Sequence, residues 1–520
     1  MKSFIAKHSG KIKGVLECFD RVIMRGHLPM AGVGYFATWL YSKKISLNLK
    51  NLPEGWRRFK DMGPQFAEWL KEHAMGMAEG AGRPFTHLPT AQRMEQNARA
   101  MAAEERIQEG LICVYSTMET CRTFRVGYGE GRPVVKTDLR RCLVLYYYFM
   151  DREFGLMHVK MQTWCPFTVQ VYVNGHEWLA RKLQSEKIAF KKVDNAFVEV
   201  ADVERAQSCA RGFWRRDWPK FLNCLAERVN PLLEDWVEGQ SYYWVLDQVE
   251  FSTDVLFTDK TALASLRGRL YEHATMCFGA EQVMTFLGRK YRGTFQGEVK
   301  THWHRREPGA AVKHWMKRNA IKMYDKDGLV LRIETVINDP REFRVHRARH
   351  KQNGRTQVGW FPMSKGVANI YRYADVSQQA NARYLEALAV VDDLGVGQRQ
   401  LERRCAPVAY QGRNRRALQP LGRDDQALFQ AVLRGEFAVR GFRNQELARH
   451  LFGPRPTEPT ERRRQCGRVS RLISLLRAHG LIAKFPRSRR YHATPLGQRF
   501  MSTAIHVRRK LFPAQLTPAA

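Results

Sequence analysis

The chain has 520 residues, and its 86 Lys and Arg against 51 Asp and Glu give a formal net charge of +35 at pH 7. Hydrophobic residues make up 44% of the sequence and aromatic residues 11%, which excludes a wholly disordered protein. The charge disfavours an enzyme that acts on small neutral metabolites. It favours a polyanion as the partner, because Lys and Arg gain affinity by displacing counterions from phosphates.

Cysteine usage and the N-terminal sequence predict a cytoplasmic protein. The ten cysteines are scattered, and no two are separated by only two residues, so finger or ribbon zinc sites are not indicated. The N-terminus lacks the apolar region of a signal peptide, and no uncharged stretch there is long enough to span a bilayer. We therefore expect reduced thiols and no membrane partner.

In chain order, residues 1–110 are predicted to form a helical N-terminal region, since residues 91–108 are rich in Ala, Glu, Met and Arg. Residues 111–210 contain β-branched and aromatic runs separated by turn residues, which predicts an α+β domain with antiparallel strands. One helix of this domain begins after Asn174. Residues 211–240 are predicted to be a helical connector.

Residues 241–345 are predicted to form a second α+β domain that contains two successive hairpins. The first turns at Pro308-Gly309, and the second turns at Asp327-Gly328. Asp-Gly is among the strongest short-range signals for a hairpin, because both residues of a type I′ turn need a positive φ.

Basic residues dominate the rest of the chain. A basic connector is predicted over residues 341–355, and residues 346–423 as a whole are predicted to contain a helix and a basic linker. Residues 341–520 hold 35 Lys and Arg against 12 Asp and Glu, and residues 441–510 alone hold 17 against 3. Most of the net charge therefore belongs to the last third of the chain.

Residues 424–510 show the pattern of three helices followed by two short strands. Apolar residues recur at i, i+3, i+4 and i+7 from Val469, and the segment LLRAHGLIAKFPRSRRYHATPLG follows the pattern from helix to hairpin. The region resembles a bacterial winged helix-turn-helix. The resemblance implies that the third helix enters the major groove of DNA and that the wing follows a neighbouring backbone or minor groove. The predicted contacts are Arg463, Arg464, Arg468 and Arg471 on the helix and Arg487, Arg489 and Arg490 on the wing.

The block KMYDKDGLVLRIET is locally similar to rolling-circle replication initiators and filamentous-phage nicking proteins. The positions that match are Tyr324, Asp325, Lys326, Arg332 and Glu334. A two-residue turn at Asp327-Gly328 predicts that Asp325 and Glu334 share a face of the sheet about 13 Å apart, at ~3.3 Å per residue. These carboxylates could not then share one ion.

His302-Trp303-His304 has the His-apolar-His spacing of HUH endonucleases, in which a strand places both imidazoles on one face to bind Mg²⁺ or Mn²⁺. His314 is predicted on the opposite face. The resemblance implies a metal site at His302, His304 and Glu334. It also implies a tyrosine nucleophile on a later helix, for which Tyr371 and Tyr384 are the candidates.

Segments such as REFGLMHVKMQTWCPFTVQVYVNGHEWLA and RIETVINDP resemble a widespread bacterial family of about 500 residues with a C-terminal winged helix. The predicted fold class is α+β multidomain: a helical N-terminal segment, two antiparallel β-sheet domains with packed helices, and a C-terminal winged helix-turn-helix. The leading hypothesis is a bacterial protein of a mobile element or replicon that binds nucleic acid, with DNA favoured over RNA. It is compatible with a homodimer.

Two alternatives remain open at this point. One is a metal-dependent, tyrosine-type DNA nicking endonuclease of the initiator or transposase kind. The other is a non-catalytic transcriptional regulator or a protein that binds structured RNA. No phosphate-binding glycine loop occurs, so an ATP-driven function is not indicated.

Overall fold

The computed structural model describes residues 1–28, 52–129, 132–235, 241–289, 299–306, 309–350, 356–391 and 403–511. The fold is mixed α+β, which confirms the broad fold class. The basic linker predicted within residues 346–423 lies partly outside the described residues. Among the described residues, no helix is both long and apolar enough to cross a membrane.

The helices are α1 (Lys2–Lys7), α2 (Leu52–Gly80), α3 (Met94–Glu104), α4 (Gly175–Ser185), α5 (Val203–Ala210), α6 (Trp218–Val229), α7 (Leu232–Asp235), α8 (Lys260–Cys277), α9 (Ala280–Phe286), α10 (Ile370–Leu388), α11 (Arg423–Val432), α12 (Gly435–Arg440), α13 (Asn444–Phe452), α14 (Pro459–Ala478) and α15 (Pro495–Leu511).

The strands are β1 (Ile12–His27), β2 (Phe85–His87), β3 (Gly110–Gly129), β4 (Arg132–Asp151), β5 (Gly155–Gln162), β6 (Val169–Asn174), β7 (Phe190–Val193), β8 (Ala196–Val200), β9 (Tyr243–Phe257), β10 (Val299–Arg306), β11 (Gly309–Met316), β12 (Asn319–Lys326), β13 (Val330–Ile337), β14 (Arg344–His350), β15 (Thr356–Pro362), β16 (Val408–Tyr410), β17 (Arg413–Arg415), β18 (Ile482–Lys484) and β19 (Tyr491–Ala493).

The chain divides into two compact units, each built from stretches that are not consecutive in sequence. Unit 1 consists of Met1–Val15, Thr253–Thr335 and Ser377–Ala520. Unit 2 consists of Leu16–Ser252 and Val336–Val376. The borders of the units fall inside β1, β9, β13 and α10, so a division into consecutive segments does not describe them.

In unit 2, the strands lie in the order β1-β6-β5-β4-β3-β2. Most of them pair antiparallel, but β2 runs parallel to β3, so the sheet is mixed rather than purely antiparallel as predicted. Helix α3 packs Met94, Ala98 and Ala102 into a core with Tyr115 and Tyr148. The helix predicted near residues 91–108 is therefore present, and its buried face consists mainly of small residues. The observed helix is shorter than the predicted one at both ends.

Strand β1 corrects the prediction that residues 1–110 are mainly helical. Its residues Leu16, Cys18, Val22 and Met24 are buried, and Gly26 pairs with Val169 of β6. These buried residues recur with a period of two, which is the pattern of a strand. Asp20 interrupts the apolar alternation at a buried position, and this polar residue concealed the pattern in the sequence.

The region predicted as a basic connector, residues 341–355, contains strand β14, which pairs antiparallel with β15 in unit 2. The exposed imidazole of His346 faces Trp360 across the pair, with ring centroids 5.5 Å apart. The guanidinium of Arg372 lies 5.2 Å from the Trp360 ring centroid. Cross-strand pairs of this kind, rather than an apolar face, stabilise the ribbon.

In unit 1, β10, β11, β12, β13 and β9 are consecutive neighbours in a sheet. Strands β10 and β11 form the first predicted hairpin, but Gly309 pairs with Arg306 and belongs to β11, and Pro308 of the predicted turn lies outside the described residues. The second hairpin turns through Asp327 and Gly328, whose φ angles of 52° and 69° both lie in the left-handed region. Helices cover one face of these strands: Tyr271 of α8 contacts Asp325, and Tyr384 of α10 contacts His314.

The C-terminal part of unit 1 contains α11 to α15 and two small hairpins, β16-β17 and β18-β19. A single bridge pairs Phe442 with Tyr491, which places a third extended segment beside β19. Helix α15, which the sequence pattern did not indicate, follows β19. Its Gly497 packs against the backbone of Leu481, where a Cβ atom would approach the carbonyl oxygen to 1.8 Å, so a side chain cannot fit there.

Candidate nucleic-acid interface

The crossing of α13 and α14 is fixed by polar contacts at the start of α13. The Asn444 side-chain amide donates hydrogen bonds to the carbonyl of Cys466 (3.2 Å) and to Ser470 Oγ (2.8 Å) on α14. The backbone N–H of Arg443 donates to the Glu446 carboxylate at 2.7 Å, which satisfies one of the unpaired donors at the helix N-terminus. These contacts hold α14 in one orientation on α13.

Helix α14 is apolar on one side and cationic on the other. Val469, Ile473 and Leu476 are buried. At ~100° per residue, Arg464 and Arg471 point away from these buried residues, and Arg463 and Arg468 lie on the two flanks of the helix. Arg468 lies over the Phe452 ring at 4.9 Å, and Arg464 is 3.7 Å from Glu461. The four arginines of α14 that were predicted to contact nucleic acid are exposed: Arg463, Arg464, Arg468 and Arg471.

The hairpin β18-β19 carries the other predicted arginines, which differ in their contacts. Arg487 and Arg489 are exposed at the turn, and Arg487 has a φ of 52°, in the left-handed region. The Arg490 guanidinium instead contacts the Glu446 carboxylate at 2.9 Å and the Gly441 carbonyl at 3.3 Å. Arg490 therefore fixes the hairpin to α13. The sequence pattern had instead predicted that Arg490 contacts nucleic acid.

The initiator-like block forms part of the sheet of unit 1, but its two carboxylates lie on opposite faces. Glu334 accepts hydrogen bonds from Tyr324 OH (2.8 Å) and Lys322 Nζ (3.0 Å). Asp325 accepts from Tyr271 OH at 3.2 Å, on the side that α8 covers, and from Arg267 at 3.0 Å. Adjacent residues of a strand point to opposite faces, so Asp325 cannot share the face of Tyr324 and Glu334.

The predicted shared face is therefore wrong, and the residue after the turn gives the reason. The Leu329 N–H donates to the Lys326 carbonyl at 3.1 Å, which closes the predicted two-residue turn, but Leu329 lies outside β13, so three residues, 327–329, separate the strands. One additional residue shifts the register by one, and such a shift moves every side chain of a strand to the other face.

The structure does not bring together the residues that the resemblance implied as a metal site. His302 and His304 are exposed on one face of β10, with ring centroids 6.0 Å apart. Strands β11 and β12 separate β10 from Glu334 on β13, which corresponds to about 14 Å at ~4.8 Å per strand. Among the residues that the structure describes, no acidic or cysteine side chain completes a three-ligand group with these histidines.

The structure does not place the candidate nucleophile Tyr384 on the face of His302. Tyr384 is fully buried, and its hydroxyl is 3.1 Å from His314 Nε2. His314 pairs with Thr301, so it faces away from His302 as predicted. Burial raises the pKa of Tyr384 well above its usual value, which opposes a phenolate nucleophile. Tyr371 is 49% exposed and belongs to unit 2.

Unit 2 contains a Ser-His-Asp arrangement that no sequence pattern indicated. His176 Nε2 is 3.3 Å from Ser252 Oγ, and His176 Nδ1 is 3.5 Å from Asp20 Oδ1. The order matches nucleophile, base and orienting acid. However, Ser252 and His176 are fully buried and Asp20 is 7% exposed, so a substrate cannot reach the hydroxyl. These contacts join β1, α4 and β9 instead.

Comparison of the chain with protein-family models, with curated proteins and with solved structures finds no match. The arginines of α14 and of the β18-β19 turn therefore form the candidate site on their geometry alone. We call these six exposed residues the arginine surface: Arg463, Arg464, Arg468, Arg471, Arg487 and Arg489.

Proposed function

We propose that the protein binds DNA through the arginine surface, and that residues 423–511 form a winged-helix domain in which α14 is the recognition helix. The observation that carries the proposal is the set of four exposed arginines on α14, of which Arg464 and Arg471 point away from its buried side. The order of the elements supports it, since the helices α11 to α14 precede a two-stranded hairpin, and the Phe442–Tyr491 bridge adds a third extended segment.

The dimensions and chemistry of α14 fit a DNA groove. The helix has 20 residues and is therefore about 30 Å long. The major groove is ~12 Å wide and admits one α-helix. Arginine guanidinium groups bind phosphate oxygens and the O6 and N7 atoms of guanine in a bidentate way. The chain would accordingly belong to a DNA-binding protein of a bacterial mobile element or replicon.

The test is the affinity of the full chain for a labelled duplex of about 30 base pairs, measured by fluorescence anisotropy. Arg464→Gln combined with Arg471→Gln should weaken binding at least tenfold, because two charge-assisted contacts are lost. The matched control removes two exposed arginines of unit 2, Arg106→Gln with Arg152→Gln, and should leave the affinity within about twofold. Equal losses in both double variants would contradict the proposal.

A second arm of this experiment separates DNA from RNA. The deep, narrow major groove of A-form RNA does not admit side chains from an inserted helix, so duplex RNA should compete poorly with duplex DNA. Competition by RNA at equal concentration, together with no effect of the α14 variants on DNA binding, would favour the structured-RNA alternative.

A further inference from the structure

Three side chains that suit a divalent metal converge in unit 1. Glu281 lies on α9, Glu436 on α12 and His450 on α13. One possible ligand atom from each lies within 4.8 Å of the other two. His450 Nε2 is 3.0 Å from Glu436 Oε1 and 3.4 Å from Glu281 Oε2. The cluster therefore contains a nitrogen donor between two carboxylates, and not only acidic groups.

The environment of Glu436 points independently to a ligand. Glu436 is 1% exposed, and its second oxygen, Oε2, is completely buried and receives no hydrogen bond from the residues that the structure describes. A buried carboxylate oxygen without a partner costs free energy, and such groups normally have a hydrogen bond or a metal.

Arg434 supplies part of the compensating charge. Its Nε is 3.3 Å from Glu436 Oε1, and its Nη2 is 3.4 Å from Glu281 Oε2. Both distances are long for charge-assisted hydrogen bonds, which are usually 2.7–2.9 Å. The side chain is 32% exposed, so it can turn toward solvent and leave the carboxylates to another cation.

We propose that Glu281, Glu436 and His450 bind one divalent transition-metal ion. Two carboxylates and an imidazole are ligands that Zn²⁺ and Co²⁺ accept, and three protein ligands leave a fourth position for water. Glu281 and His450 are each 16% exposed, which gives the ion a path from solvent. The bound ion would connect α9 to α12 and α13 and would stabilise this part of unit 1.

The test uses the full chain, stripped of metal by a chelator and then titrated with Co²⁺ while the visible absorption of the metal is recorded. One equivalent should bind, with the spectrum of a nitrogen and oxygen site. Co²⁺ bound by any of the cysteines would instead give an intense near-ultraviolet thiolate band. Binding of Co²⁺ should also raise the thermal unfolding midpoint of the wild-type chain.

Variants decide whether the ion occupies this cluster. His450→Gln and Glu281→Gln should each lower the affinity for Co²⁺ at least tenfold, whereas Glu461→Gln, on the exposed face of α14, should leave it unchanged. Arg434→Gln should bind Co²⁺ more tightly than the wild type, because a competing cation is removed. A gain of affinity cannot result from misfolding, so this variant keeps the test decisive if the ligand variants unfold.

The proposal is overturned if no stoichiometric Co²⁺ binding occurs below about 1 mM. It is also overturned if His450→Gln and Glu281→Gln bind as the wild type does, or if Arg434→Gln only destabilises the protein without a gain in affinity. Those results would identify the cluster as a structural ion-pair network. None of these outcomes depends on binding of DNA.

Discussion

At the scale of single residues, the ion pair between Arg332 and Asp254 is buried, so both charges are removed from water, and its hydrogen-bond geometry is good. Arg332 Nε and Nη2 each lie 2.7 Å from one carboxylate oxygen of Asp254, and both side chains are at most 1% exposed. A bidentate contact of this kind compensates the desolvation of both charges only while it is intact.

Asp254→Asn should therefore destabilise unit 1 by about 3–5 kcal/mol, because a buried guanidinium loses its counter-charge. The measurement is the shift of the urea denaturation midpoint. Asp138→Asn is the matched control, since Asp138 pairs with Arg125 on the surface of unit 2, and it should cost less than about 1 kcal/mol. A similar shift in both variants would show that the burial of Arg332 is not what makes the pair important.

His314 predicts a pH dependence of stability. Burial lowers its pKa to about 4, while an unfolded chain holds the ordinary value of about 6.5. As the pH falls below about 6.5, the imidazole is protonated in the unfolded chain but stays neutral in the folded protein. The free energy of unfolding therefore decreases between about pH 6.5 and pH 4. At ~1.4 kcal/mol per unit of pKa difference, this histidine alone costs the folded state about 3 kcal/mol at acidic pH.

Near-ultraviolet circular dichroism against pH tests this expectation. His314→Gln should flatten the loss of signal between pH 6.5 and 4, although its stability at pH 7 will be lower because the contact with Tyr384 changes. The exposed His302→Gln, on the neighbouring strand, should reproduce the wild-type profile. An unchanged profile in His314→Gln would assign the acid sensitivity to other groups, such as His158, whose pKa is also lowered by desolvation.

At the scale of elements, the turn between β12 and β13 depends on backbone conformation rather than on contacts. A Cβ atom at Gly328 would meet nothing closer than 3.7 Å, but its φ of 69° is strained for other residues. Gly328→Ala should therefore lower the unfolding free energy by about 1 kcal/mol. Gly76→Ala, at an open position inside α2, should raise it by about 0.5–1 kcal/mol. Denaturation midpoints that move in the same direction would contradict this explanation.

The elements that could be predicted are those whose pattern is local. The Asp327-Gly328 hairpin and the apolar spacing from Val469 in α14 each follow from fewer than about ten residues. Strand β14 has no such pattern, because Val345 is buried between exposed Arg344 and His346 but exposed Arg347 and Ala348 follow. The register of β13 was wrong for a similar reason, since the sequence does not reveal that Leu329 lies outside the strand.

The candidate sites divide in the same way. The arginine surface lies on one helix and one hairpin, so helical periodicity located most of it, and only the ion pair between Arg490 and Glu446 required coordinates. The clusters around His176 and His450 join residues from elements far apart in the chain. The spacing of residues in a single sequence cannot predict contacts at such large sequence separations. These contacts depend on how non-consecutive stretches of the chain assemble into each unit.

At the scale of the whole molecule, the net charge is +35. The affinity for DNA could depend either on the number of cationic residues or on their position. Residues 341–520 hold 35 Lys and Arg against 12 Asp and Glu, so the excess is concentrated rather than spread. A spread charge would bind DNA through many weak contacts, and any cation would then be equivalent. A localised surface releases counterions only at the phosphates that it touches.

The slope of log K against log salt concentration separates these cases. Replacing Arg463, Arg464, Arg468 and Arg471 by Gln should reduce the slope for duplex DNA by about 3–4, at ~0.9 per lost phosphate contact. A variant of equal net charge removes four exposed cations of unit 2, by replacing Arg106, Arg152, Lys187 and Lys220 with Gln, and should keep the wild-type slope. If the slope decreases by the same amount in both variants, binding depends on the total charge and α14 is not the interface. If only the α14 variant does, the position of the charge determines recognition.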